Sequence, residues 1–217
     1  KLLASADDKS SPLLLELVGR RRIAAVSEVL PLLENKTAAI RHAALKALGE
    51  TVTLERLSLL VEQAVSPKRS EDAAVAQQAL KAASVRMPDR EACAMQLSKA
   101  IDRSPTAAKV TLLEILSEVG GAQALKTLDA AARSSDDTLQ DASSRLLGKW
   151  NSVEAATVLL DLAKTAPSEK YRVRALRGYL GLARKFAMPE AERVQMCRNA
   201  IDATGRVAEH KLALDVL

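Results

Sequence analysis

The feature that most constrains this chain is a repeat of thirty-odd residues. Apolar residues recur at helical intervals in segments of about 12–16 residues, split by short Ser, Pro, Asp or Gly punctuation. One set of helices is expected to start near Ile23, Thr53, Asp89, Ala122, Val153 and Pro189, with successive gaps of 30, 36, 33, 31 and 36 residues. A second set is expected near Ser11, Thr37, Glu71, Pro105, Asp137, Glu169 and Arg206. Each pair reads as a helix-turn-helix unit. A unit of this size buries its apolar face only against a neighbour, so the period predicts a stacked helical array.

The kind of hydrophobe agrees. Trp150, Tyr171, Tyr179 and Phe186 are the only aromatic residues among 217, and Ala and Leu dominate the rest. Strands favour β-branched and aromatic side chains, whereas small aliphatic ones suit helices that approach closely. The expected fold is therefore all-α, a right-handed α-solenoid of about six helix pairs forming one domain over residues 1–217. No run approaches the roughly 18 apolar residues of a membrane span.

The boundaries have their own chemistry. Gly49, Gly120 and Gly148 are expected to close second helices as left-handed caps. Pro105 and Pro189 stand where a first turn has no amide bond to lose, and Ser104 and Asp136 are placed as N-caps. Pro31, inside the apolar run 23–34, is expected to kink that helix or end it early. Lys99-Ala-Ile-Asp102 corresponds to Asn199-Ala-Ile-Asp202, and Glu114-Ile-Leu116 to Asp215-Val-Leu217. The second copy breaks off in mid-pattern, so the array is expected to continue in a longer protein.

The run from Asn35 through Ile40, Arg41, Ala44 and Leu48 to Gly49 resembles the second helix of a HEAT repeat, an armadillo-like motif. Residues 136–148 match again with Gln140 in place of the Arg, and residues 171–180 match with Val173 and Arg174. The phrases at 112–121 and 174–183 look like a bacterial HEAT group whose repeats accompany a carbohydrate-active domain of the 3-keto-disaccharide hydrolase type. That likeness implies the repeat portion of an exported or periplasmic protein; without it a cytoplasmic one is expected. It also implies that Arg41, near Asn35, belongs to an inter-repeat ladder, with Asp136 and Gln140 at the corresponding places.

Chemistry is mostly absent. His42 and His210 have no partner at a ligating spacing, and there is no Gly-rich phosphate cradle or nucleophile elbow. His42 is expected at the surface. Cys93 and Cys197, far apart and each beside a Met, are expected to be reduced and buried. Asp72, Asp102 and Asp141 read as caps or ladder partners. No catalytic residue, cofactor or metal is expected.

The one concentrated feature is the segment 150–186, which holds every aromatic residue. Residues 167–217 also carry 10 Lys and Arg against 6 Asp and Glu, so most of the chain's net charge of +5 lies there. Trp150, Tyr171, Arg174, Arg177, Arg184 and Lys185 are the candidate binding surface, because second helices of HEAT arrays usually line the concave face. The bland alternative puts the rings in the core and the arginines in solvent.

The leading functional expectation is a non-catalytic, monomeric scaffold for a protein partner. A second reading is a nucleic-acid-binding protein or HEAT-like alkylpurine DNA glycosylase with a basic concave face. A third makes the chain a spacer or regulator beside a catalytic domain.

Overall fold

The computed structural model describes residues 7–217. Among them there are thirteen α-helices, 77% of the residues are helical, and no strand occurs. The all-α expectation thus holds. The helices are α1 (Ser11–Arg20), α2 (Val26–Val29), α3 (Ala38–Thr51), α4 (Leu57–Val65), α5 (Ala73–Arg86), α6 (Arg90–Ile101) and α7 (Thr106–Val119). They continue as α8 (Gly121–Ala132), α9 (Asp137–Leu147), α10 (Ala156–Thr165), α11 (Glu169–Lys185), α12 (Glu190–Asp202) and α13 (Val207–Leu214). Four of them adjoin a short 3-10 turn: Leu30–Glu34 after α2, Leu54–Arg56 before α4, Ser70–Asp72 before α5 and Val153–Ala155 before α10. With those turns included, every helix starts within three residues of the position expected from the punctuation.

The described chain divides into two compact units, one ending at Val119 and the other beginning at Gly120. In the first, α1 packs on α3, α3 on α5 and α5 on α7, so the second helices form a layer in chain order. Against that layer α2 covers α3, α4 covers α5 and α6 covers α7. The core is aliphatic: Leu15, Leu45, Leu57, Leu80, Leu97 and Leu112 are fully buried. In the second unit α8 pairs with α9, α10 with α11 and α12 with α13. There α11 contacts α9 on one side and α13 on the other.

Small residues set how closely the second helices approach, and they recur about one period apart. A Cβ placed on Gly49 would lie 2.9 Å from the Ala79 carbonyl oxygen, and one on Gly178 would lie 2.9 Å from Gly148 Cα. Two of the expected left-handed caps are therefore corrected. Gly49 lies inside α3, and Gly148 has φ −62°, an ordinary right-handed conformation. These glycines remove a side chain where another backbone passes. Gly120 does adopt the left-handed region, at φ +72°. Pro31 ends that helix early, since α2 ends at Val29 and the chain passes into the 3-10 turn that contains it.

Other boundary residues follow local chemistry. Asp136 caps α9, its carboxylate accepting from the amides of Thr138 at 2.9 Å and Leu139 at 3.3 Å. The hydroxyl of Ser104 donates to the Ala100 carbonyl at 2.6 Å. Cys93 and Cys197 are buried and free, and burial pushes both thiols above their usual pKa.

Candidate binding surface and polar ladder

Arg41 sits four residues beyond the cap of α3 and its side chain is only 1% exposed. All five of its N–H groups have acceptors. Nε donates to Asp72 Oδ2 at 2.8 Å, and Nη1 to the carbonyls of Asn35 and Lys36, each at 3.0 Å. Nη2 donates to Asp72 Oδ1 at 3.1 Å and to Glu71. The planar guanidinium thus ties its own turn to the start of the next second helix, 30 and 31 residues on, as its fork geometry allows. The Arg41 guanidinium beside Asp72 holds that carboxyl below the usual range. Asn35 supplies its carbonyl to Arg41, while its side chain accepts from the Thr37 amide at 2.8 Å.

His42 is corrected from a plain surface residue. It is half-buried, with Nε2 2.9 Å from Asp72 Oδ1. The same carboxylate therefore meets two neighbouring side chains of α3.

Counting from the caps gives equivalent positions in the second unit. Gln140, Arg172 and His210 each stand four residues past the cap, and each reaches a carbonyl six residues back. Gln140 donates to Ser134 at 3.3 Å, Arg172 to Ala166 at 3.3 Å, and His210 Nε2 lies 2.6 Å from the Thr204 oxygen. The match proposed through Arg174 is thus two residues out of register, since Arg172 occupies the place of Arg41. Because α11 has an arginine at both 172 and 174, residue type alone does not set the register there. Asp136 serves its own helix as a cap, and Gln140 bonds within its own turn.

Arg174 instead crosses to the preceding second helix. Its Nη1 donates to Asp141 Oδ1 at 2.8 Å and Ser144 Oγ at 2.9 Å. Asp141 also meets Lys170 at 2.6 Å and Arg145 at 3.3 Å. Lys170, with Arg174 next, pulls the Asp141 carboxyl down to about 2. Arg177 donates to Glu209 Oε1 at 2.8 Å, and Arg206 to Glu209 Oε2 at 2.8 Å and to Glu169. Glu209 is fully buried; burial opposes its ionisation, but Arg206 and Arg177 outweigh it and hold the carboxyl below its usual range. The part played by Glu209 was missed in the sequence. The available signal was an opposite charge about one period after Arg177.

The aromatic residues divide. Trp150 is only 8% exposed and Tyr179 is buried, its hydroxyl accepting from Asn199 at 3.4 Å. Trp150 is therefore corrected from the binding surface to the core, where its large apolar area is worth most. Tyr171 is half-buried, with the Lys170 ammonium 5.5 Å and the Arg174 guanidinium 5.8 Å from its ring centre. Arg184 is exposed near the end of α11, and Lys185 bonds Asn151 and lies 5.8 Å from the Phe186 ring. The predicted surface residues are thus not one patch: Tyr171 and Arg174 lie near the start of α11, Arg177 reaches α13, and Arg184 and Lys185 lie at its far end.

Beside Tyr171 runs an open groove of about 950 Å³, lined along its polar side by Arg133, Asp137, Asp141, Arg145 and Lys170. Among the described residues, no group of three or more His, Cys, Asp or Glu side chains is placed to hold a metal ion. No helix among them is long and apolar enough to cross a membrane. Comparison with known proteins gave no matching family model and no matching curated protein.

Proposed function

We propose that this chain is a non-catalytic HEAT-type scaffold: a right-handed α-solenoid that binds a protein partner along the face lined by its second helices. The observation that carries the reading is the polar network linking successive repeats. Arg41 reaches Glu71 and Asp72, Arg133 reaches Asp161, Arg174 reaches Asp141, and Arg177 reaches Glu209. Every one of these pairs joins positions close to one sequence period apart, as expected where each unit is held by its neighbours. Ionisable side chains that an enzyme would converge on a substrate are here engaged with one another. The exposed remainder, including Lys46, Gln78 and Arg184, varies from helix to helix, which suits recognition of an extended partner.

Nucleic-acid binding is disfavoured by the aromatic residues. Stacking needs open ring faces, whereas Trp150 and Tyr179 are buried and cations lie over Tyr171.

Photo-crosslinking tests the scaffold reading. A benzophenone amino acid placed at Lys46, Gln78 or Arg184 should give adducts with a discrete protein in an extract of the source cells. The same probe at Glu62 or Lys164, on first helices, should not. Adducts confined to the first-helix positions, or none at all, would refute the proposal.

A further inference from the structure

We propose that the groove between the starts of α9 and α11 receives an acidic peptide segment of the partner, its carboxylates paired by Arg145 and Lys170; this rests on the scaffold reading above. Three cations converge on the single carboxylate of Asp141. Oδ1 takes Lys170 and Arg174 and Oδ2 takes Arg145. One negative charge balances one of the three, and Asp137, on the groove wall, offsets another. Arg133 adds little, because Asp129 and Asp161 already bracket it at 2.9 and 2.6 Å.

The surplus is accessible. The side chains of Arg145 and Lys170 are 58% and 56% exposed, and both line the groove. An ammonium has three donors and a guanidinium five, so neither exhausts its hydrogen-bonding capacity on Asp141. A further carboxylate would relieve the mutual repulsion of the cations and gain charge-assisted hydrogen bonds. Hydroxyls of Ser134, Ser135, Thr138 and Ser168 border the same space and suit a peptide main chain. About 950 Å³ is far more than a single small anion fills, whereas an extended segment of several residues fits.

A nucleic acid is the poorer occupant. It presents a closely spaced line of phosphates and needs a continuous basic track. Here Asp137 and Asp161 interrupt the track, and Lys170 and Arg174 lie over the Tyr171 ring that a base would use.

The test is fluorescence anisotropy on the whole chain at low salt, where exposed charge contacts are least screened. The probes are a labelled Glu-rich peptide, its Gln counterpart, and a single-stranded oligonucleotide of equal charge. The Glu peptide should bind and the Gln peptide should not. Arg145→Gln and Lys170→Gln should each weaken binding about five- to tenfold, as expected for loss of one charge contact. Asp141→Asn, which removes the competing carboxylate, should tighten it severalfold. That opposite sign is not produced by a merely structural role, and circular dichroism checks that each variant is folded.

Equal binding of the Gln peptide, indifference to both Gln substitutions, weaker binding by Asp141→Asn, or no binding overturns the proposal. Tighter binding of the oligonucleotide also overturns it and assigns the groove to nucleic acid. If crosslinking at Lys46 and Gln78 persists while the peptide fails, the groove is refuted and the scaffold stands.

Discussion

Two glycines three residues apart on α11 should respond to the same substitution with opposite signs. Gly178→Ala places a methyl group 2.9 Å from Gly148 Cα, 3.1 Å from its carbonyl oxygen and 3.3 Å from its carbonyl carbon. Carbon contacts are optimal near 3.5–4.0 Å, and the obstructing atoms are backbone, so relief requires α9 and α11 to separate. Overpacking of this kind costs about 1–3 kcal/mol, and a backbone obstacle belongs at the upper end. Ala is about 1 kcal/mol better than Gly in a helix interior, which leaves a net loss of about 2 kcal/mol. Gly181→Ala meets nothing within 4 Å, so only the propensity gain of about 1 kcal/mol remains.

For a chain of this size a kcal/mol shifts the melting temperature by about 2–4 °C. Melting followed by circular dichroism should fall by about 4–8 °C for Gly178→Ala and rise by about 2–4 °C for Gly181→Ala. Urea titration should give the same order. A Gly178→Ala protein as stable as the parent would refute the close approach of α9 and α11, and with it the packing of one second helix on the next.

Leu48 and Leu147 are each 1% exposed, so Leu48→Asp and Leu147→Asp bury a charge without a partner and should cost more than about 4 kcal/mol. Limited proteolysis should show the surrounding unit degraded; an unchanged melting temperature would contradict the helix register. Asp141, held at about 2, has a folded pKa below its unfolded value, so its stabilisation is present above about pH 4. That contribution is lost as pH falls through about 2. The stability difference between the parent and Asp141→Asn should therefore shrink as the solution is acidified through that window; a difference independent of pH would exclude the Lys170 and Arg174 pairing.

Helix starts were legible because their signals are local. Pro189 and Asp136 act through their own first turn, and the aliphatic periodicity of residues 38–51 needs no distant partner to be recognised. Arg41 was legible as a ladder candidate and Asp72 as a cap or ladder partner from residue type and position, but their pairing and the added contact of Glu71 were not, since nothing in the next helix marks which carboxylate points back. Gly49 and Gly148 misled because glycine serves two ends: it relieves positive φ at a cap, and it clears space where another backbone passes. Trp150 misled for a related reason. A ring in a basic segment suits either a binding face or a core, and only the packing of α9 with its neighbours decides. The Asp141 cluster joins side chains nearly a full period apart, beyond any helical spacing, so the groove beside it emerges only from the fold.

The central claim of the scaffold proposal is that, within each unit, successive second helices lie side by side. Distances between paired spin labels test it most directly. Labels at Lys46 and Gln78 sit at exposed positions of α3 and α5, and helices packed directly on one another have axes roughly 8–10 Å apart. The predicted result is a single narrow distribution below about 25 Å, the helix separation plus the reach of two label arms. A broad distribution, or one centred well beyond that distance, would contradict it.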